Sequence, residues 1–213
     1  MPITPPKSRS DLERAEAEYK NKLEVEEKLG RKEGMADAYG NLGIIYLTLG
    51  HLHQAEEMFE KSLELGKKLA DKKSMASDYG YLGTIYQMRD DLEKAETMFN
   101  KSLMIHQDLG REAGQGAIYG KLGEVYYARR DLVQAEEMFI KSLEINERLD
   151  NKSSMAKTYG FLGDIYRFQP DLEKAEDMYR KSLALFQADG VLHMAKIVQE
   201  MLTNLQKRKT SGD

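Results

Sequence analysis

Apolar and polar positions along this chain repeat with a register that never slips. Set out in rows of forty from Asp11, the sequence falls into five windows beginning at Asp11, His51, Asp91, Asp131 and Asp171, without insertion or deletion. One stretch of each window reads YGNLGIIY from Tyr39, YGYLGTIY from Tyr79, YGKLGEVY from Tyr119 and YGFLGDIY from Tyr159. The following window opens on His or Asp and continues Leu-x-x-Ala-Glu-x-Met-Phe/Tyr-x-Lys-Ser-Leu. Met35, Tyr39, Leu42 and Tyr46 recur at steps of four, three and four, which is one stripe of a 3.6-residue helix. Leu52, Ala55, Phe59 and Leu63 do the same, so each repeat holds a first-type and a second-type helix.

Punctuation agrees with that division. Asp91, Asp131 and Asp171 stand where a helix N-cap is wanted, after turn-like ends such as Thr48-Leu49-Gly50 and Gln169-Pro170. Gly30, Ala70, Gly110 and Asp150 mark the turn between the other helix ends. Glu57 with Lys61, Glu137 with Lys141 and Asp177 with Lys181 place opposite charges four apart on the exposed side of second-type helices.

Tyr39-x2-Leu42-Gly43-x2-Tyr46 followed by Ala55-x3-Phe59-x2-Ser62 resembles the tetratricopeptide (TPR) signature. The match recurs through Tyr79, Leu82, Gly83, Tyr86, Ala95, Phe99 and Ser102, then Tyr119, Leu122, Gly123, Tyr126, Ala135, Phe139 and Ser142, then Tyr159, Leu162, Gly163, Tyr166, Ala175, Tyr179 and Ser182. Tyrosine stands in for the usual tryptophan and the period is longer than the family's ordinary one. The chain is thus similar to the long-repeat branch of Pins-type adaptors, kinesin light chains and bacterial regulators. The resemblance implies an all-α fold, a right-handed superhelical solenoid of antiparallel helix pairs with four full repeats and one helix at each end. On the residues themselves, Gly43 and Ala55 are small enough to let two helices approach, and Tyr46 and Phe59 fill the space between them.

The expected organisation is a flexible leader over 1–10, an N-terminal capping helix over 11–30 introduced by Ser10-x-x-Glu13, four helix pairs over 31–189, a C-terminal capping helix over 190–207 and a flexible tail over 208–213. In the last helix Met194, Val198, Met201 and Leu205 carry the apolar stripe, and Leu202 replaces the close-approach glycine.

Positions identical in every repeat are explained by packing, so a partner should be read where repeats differ. On first-type helices these columns lie at 37, 41, 44 and 48, on the side away from the apolar stripe. They hold Asp37, Ser77, Ala117 and Lys157; Asn41, Tyr81, Lys121 and Phe161; Ile44, Thr84, Glu124 and Asp164; and Thr48, Met88, Ala128 and Phe168, flanked by Leu47, Gln87, Tyr127 and Arg167. The resemblance places first-type helices on a concave groove, and its aromatic content fits an interface core. A polypeptide partner is therefore expected, with a basic residue facing Glu124 and Asp164; the rival is that Lys121 neutralises Glu124. Self-association through the same face, or service as a sensor module of a larger regulator, are the alternatives, and Tyr81, Phe161 and Phe168 merely packing on neighbouring helices is the plainest one. Gly40, Gly80, Gly120 and Gly160 sit inside predicted helices, where each costs about 0.5–1 kcal/mol against alanine, so they require a close neighbour, either a helix or a ligand backbone.

Composition narrows the chemistry. A formal net charge of -4 gives no basic field for nucleic acid or anionic membrane. The chain has no cysteine, and its four histidines, among them His51, His53 and His106, lack ligand spacing, so no metal site and no cofactor are expected. No apolar run reaches the roughly 20 residues of a membrane helix, and a soluble cytoplasmic protein is expected. The glycines follow the helical repeat rather than a strand, which argues against a phosphate loop, and an open groove offers Glu124 and Asp164 no means of separating their pKa values. A non-enzymatic scaffold is the expectation.

Overall fold

The computed structural model describes residues 8–169 and 172–211, and every regular element in them is a helix. Two compact units divide at Leu109 and Gly110. The first contains α1 (Arg9–Leu29), α2 (Lys32–Thr48), α3 (Leu52–Leu69), α4 (Lys72–Met88) and α5 (Leu92–Asp108). The second contains α6 (Glu112–Ala128), α7 (Leu132–Arg148), α8 (Lys152–Arg167), α9 (Leu172–Ala188) and α10 (Leu192–Ser211). Within the units α2 pairs with α3, α4 with α5, α6 with α7 and α8 with α9, and α1 packs on α2 and α10 on α9.

Close approach within a pair has a single steric cause. A Cβ added to Gly43 would lie 2.8 Å from the Phe59 ring, and one on Gly123 or Gly163 would lie 2.6 Å from the ring of Phe139 or Tyr179. Phe59, Phe99 and Tyr179 are wholly buried, so these rings cannot swing aside. A hydroxyl locks each pair beside the ring: Ser62 Oγ donates to the Ala36 carbonyl at 3.3 Å, Ser102 to that of Ala76 at 2.7 Å, Ser142 to that of Gly116 at 2.8 Å and Ser182 to that of Ala156 at 2.7 Å. The serine of the signature therefore satisfies its own buried polarity within the repeat.

Successive repeats are joined through the last tyrosine of the signature. Tyr46 donates to Glu16 at 2.9 Å, Tyr86 to Glu56 at 2.7 Å and Tyr166 to Glu136 at 2.7 Å, which gives a role to three of the glutamates that follow a signature alanine. First-type helices are buried on more sides than the predicted stripe allowed. Ile85, Val125 and Ile165 are fully buried, whereas Tyr39, Tyr79 and Tyr119 are only half-buried. A single amphipathic stripe describes a helix with one packed side, and α4 and α8 contact both their own partner and the preceding helix.

The caps hold with adjustments. Asp91 and Asp131 accept from the backbone N–H of Lys94 and Gln134, and Asp71 and Asn151 cap α4 and α8 likewise. The expected cap at Asp171, the turn at Pro170, residues 1–7 of the leader and residues 212–213 of the tail lie outside the described residues. At the N-terminus the capping box is Ser8 with Asp11 rather than Ser10 with Glu13, and α1 begins at Arg9, inside the expected leader. A Ser-x-x-acid pattern occurs twice in overlapping register there, and the upstream copy supplies the reciprocal bonds. At the other end helix continues through Ser211, past the expected limit at 207; Lys209 reaches Glu176 at 2.8 Å and Arg208 reaches the Arg167 carbonyl at 3.0 Å. Leu202, which replaces the close-approach glycine, is a buried core residue beside Val198 and Leu205.

The two glycine classes have different neighbours. A Cβ on Gly40 would meet Ser62 Oγ at 3.5 Å, an ordinary contact, so the close neighbour of Gly40 is its partner helix. Gly40→Ala should raise stability by about 0.5–1 kcal/mol through helix propensity, while Gly43→Ala should lower it by about 1–3 kcal/mol through overpacking. Thermal melts of the two variants check this, and equal shifts of one sign would contradict the assignment.

Candidate functional site

The residues expected to face a partner lie on the accessible side of the first-type helices in both units. In the first unit α2 presents Asp37, Asn41, Ile44, Leu47 and Thr48, and α4 presents Ser77, Tyr81, Thr84, Gln87 and Met88. In the second, α6 presents Ala117, Lys121, Glu124, Tyr127 and Ala128, and α8 presents Lys157, Phe161, Asp164, Arg167, with Phe168 at its C-terminal end. Met88 and Phe168 are more than half exposed, at 57% and 55%, which is a high solvent cost for large apolar side chains.

Tyr81 and Phe161 are half-buried and serve two surfaces at once. Tyr81 stacks on Phe59 with centroids 4.7 Å apart and planes 12° apart, and Phe161 stacks on Phe139 at 4.9 Å and 11°. Tyr127 meets Phe161 edge-on at 5.6 Å. Each aromatic thus continues the ring-on-glycine column out to the open side. Packing accounts for one face of the ring, and the remainder lines a cleft.

Two clefts of about 160 Å³ occupy equivalent places, two repeats apart. The first lies among α2, α3 and α4 and is lined by Gly40, Asn41, Ser62, Ser77, Asp78 and Tyr81 among others. The second lies among α6, α7 and α8, where Gly120, Lys121, Ser142, Lys157, Thr158 and Phe161 take those positions. A third hollow of about 170 Å³ between α8 and α10 is floored by Phe161, Phe186, Met194, Val198 and Met201.

The acids expected to read a ligand charge already have partners. Lys121 Nζ lies 2.8 Å from Glu124, as in the neutralisation alternative. Asp164 receives the Tyr179 hydroxyl at 2.7 Å and has Arg167 at 3.5 Å. Burial and then the Asp164 hydrogen bond push the Tyr179 phenol far above its ordinary value. Tyrosine in place of phenylalanine at 179 and aspartate at 164 are therefore one paired feature.

One residue of this face escaped the column comparison. Asp78 is 4% exposed, and its Oδ2 has no hydrogen-bond partner. Its equivalents are Ala38, Ile118 and Thr158, all buried, so an acid at this place is peculiar to one repeat. The same column, one position beyond those compared, carried the signal. Burial raises the Asp78 carboxyl to about 7, with a hydrogen bond from Ser62 opposing and the nearby Asp71 adding to the rise.

Among the described residues no group of His, Cys, Asp and Glu is arranged to hold a metal, and no helix is long and apolar enough to cross a membrane.

Comparison with known proteins gives the family. The family described as MalT-like TPR region matches residues 9–211. No curated protein sequence matches. Among solved structures, the STAND protein with a tetratricopeptide repeat sensor from Pyrococcus horikoshii superposes with a TM-score of 0.81 at 20% identity, over 96% of this chain and 31% of that one. BtubC from P. vanneervenii superposes at 0.69 with 19% identity, over 96% of this chain and 93% of that one. Aspartyl phosphate phosphatase F from Bacillus subtilis superposes at 0.74 with 15% identity, over 79% of this chain and 44% of that one. At these identities the likeness is one of fold, and the chain spans less than half the length of two of the three.

An acid whose folded-state pKa is raised favours the folded state while protonated, so the Asp78 contribution is fully present below pH about 4 and is lost as pH rises through about 7. The melting temperature should accordingly fall between pH 5 and pH 8, and Asp78→Thr, copying Thr158, should flatten that slope and melt higher at pH 8. Parallel melting curves for the two proteins across this range would contradict the assignment.

Proposed function

The chain belongs to the MalT-like TPR region family, and from that membership and the face presented by its first-type helices we propose that it holds a polypeptide segment against that face, as a non-catalytic interaction module. The observation that carries this reading is the pair of equivalent clefts, each floored by a half-buried aromatic, Tyr81 or Phe161, and rimmed by side chains that differ between repeats. Invariant packing with variable rims is what a scaffold needs to keep its shape while reading a sequence. Half-buried aromatics offer area for binding at little further entropic cost, because stacking has already restrained them.

A basic ligand residue facing Glu124 and Asp164 is the finer part of this reading. It has to compete with Lys121 and Arg167, which lie against those carboxylates on their own helices. Glu124→Lys combined with Asp164→Lys tests it: abolished binding at moderate salt supports recognition of a ligand cation, and unchanged affinity assigns the acids to their internal partners.

A regulatory role as the sensor segment of a larger signalling protein is the second reading. It is favoured by the name of the P. horikoshii structure, whose tetratricopeptide repeats are described as a sensor, and by the small share of that chain covered. The first reading requires a bound polypeptide. Self-association through the same face requires a second copy instead.

Selection from a random peptide library should yield a shared motif for the wild-type chain, with affinity reduced at least tenfold by Tyr81→Ala or Phe161→Ala. Light scattering over a concentration series should show the mass of one chain. Failure to enrich any motif, together with concentration-dependent oligomers that Tyr81→Ala and Phe161→Ala dissolve, would replace the binding module with a self-assembling scaffold.

A further inference from the structure

Several hydrogen-bond donors of the cleft among α2, α3 and α4 are already committed. Ser74 Oγ donates to Asp71 at 2.6 Å, Ser77 Oγ to the Lys73 carbonyl at 3.3 Å and Asn41 Nδ2 to the Asp37 carbonyl at 2.7 Å. The single proton of Ser62 is divided between the Ala36 carbonyl at 3.3 Å and the Asp78 carboxyl. Lone pairs remain on Asn41 Oδ1 and on the buried, unpartnered Oδ2 of Asp78.

Charge points the same way. Asp37 from α2 and Lys73 and Asp78 from α4 line the cleft, α3 contributes Phe59 and Ser62, and Asp71 at the α4 N-cap adds a further acid nearby. Lys73 acts on Asp71 rather than on Asp78. Among the described residues the carboxylate at 78 is therefore buried without a counter-ion, an arrangement that is costly unless something else supplies one.

The sister cleft shows that packing does not ask for this. At the equivalent positions it has Thr158 for Asp78, Lys157 for Ser77 and Lys121 for Asn41, so that a neutral hydroxyl takes the place of the buried acid on the same scaffold.

We propose that the cleft around Asp78 is a subsite for the cationic end of a basic side chain, an ammonium or guanidinium group, with Asp78 Oδ2 as its counter-ion and Asn41 Oδ1 and the serine oxygens as further acceptors. This deepens the polypeptide-binding reading and rests on it for the natural ligand. Such a group brings the Asp78 carboxyl a positive charge and donors that Lys73, which also lines the cleft, does not supply to it, and Tyr81 beside it accepts the aliphatic stem. The geometry assigns the bound segment a basic residue in the cleft of the first unit.

The test uses the full chain with carboxyl-13C aspartate, titrated by NMR from pH 5 to pH 9 with n-butylammonium, with n-propylguanidinium, or with n-butanol as the uncharged control. The titration midpoint of Asp78 should fall by about one pH unit at saturating cation, a tenfold change in proton affinity, and should not move with butanol. Whichever cation produces the larger fall identifies the side chain as lysine-like or arginine-like. Amide shifts at Gly40, Asn41 and Tyr81 caused by the cation should vanish in Asp78→Asn and in Asp78→Thr, the latter keeping a residue the fold accepts at the equivalent place. An Asp78 midpoint indifferent to both cations, or amide shifts that persist in both variants, would overturn the subsite. Because the probes are small molecules, that result stands apart from the peptide selection, whose failure would remove the polypeptide groove instead.

Discussion

The arrangement depends on an aromatic ring seated where a side chain is missing. Gly43 under Phe59, Gly83 under Phe99, Gly123 under Phe139 and Gly163 under Tyr179 repeat one contact, with any added Cβ 2.6–2.8 Å from the ring. It sets how closely the two helices of a repeat lie, and the other interactions follow from that spacing. Only at this separation do Ser62, Ser102, Ser142 and Ser182 reach a backbone carbonyl on the facing helix. The ring also carries the fold outward, since Phe59 supports Tyr81 and Phe139 supports Phe161 on the open side. Packing and candidate recognition are thus consecutive layers of one column.

Most of this was legible because a repeat turns one sequence into its own comparison set. Identity at Gly43, Ala55 and Ser62 across four repeats, with an aromatic ring at the Phe59 position, is explained by contacts within the helix pair, and the structure places those residues there. What period alone cannot convey is how many sides of a helix are covered. Ile85 and Ile165 fell outside the single stripe, yet they are fully buried against the neighbouring repeat. The ends were the least legible part, because capping helices lack a sister to compare. Ser8 rather than Ser10 closes the first helix, and the last continues to Ser211.

The open face was found from its variability, although variability does not separate a residue that awaits a partner from one that has found it. Asp164 differs from its equivalents because Tyr179 differs from its own, and Glu124 because Lys121 sits beside it. Asp78 is the converse: it differs, it is buried, and one of its oxygens is unmatched. That combination sets stability against function, since an ionised carboxyl in such a place weakens the fold while creating the strongest local attraction for a donor. Its counterpart Thr158 shows the same scaffold without that tension.

The central physical claim is that ring and glycine fit each other and that this fit organises the rest. A double-mutant cycle on Gly123→Ala and Phe139→Leu measures it by denaturant unfolding of each single variant and the pair. If the added methyl is harmful because of the ring, shrinking the ring relieves it, and the double variant should be more stable than the sum of the singles by on the order of 1–2 kcal/mol. Additive losses would mean that glycine at this place answers to something other than the ring, and the account built outward from that contact would be wrong.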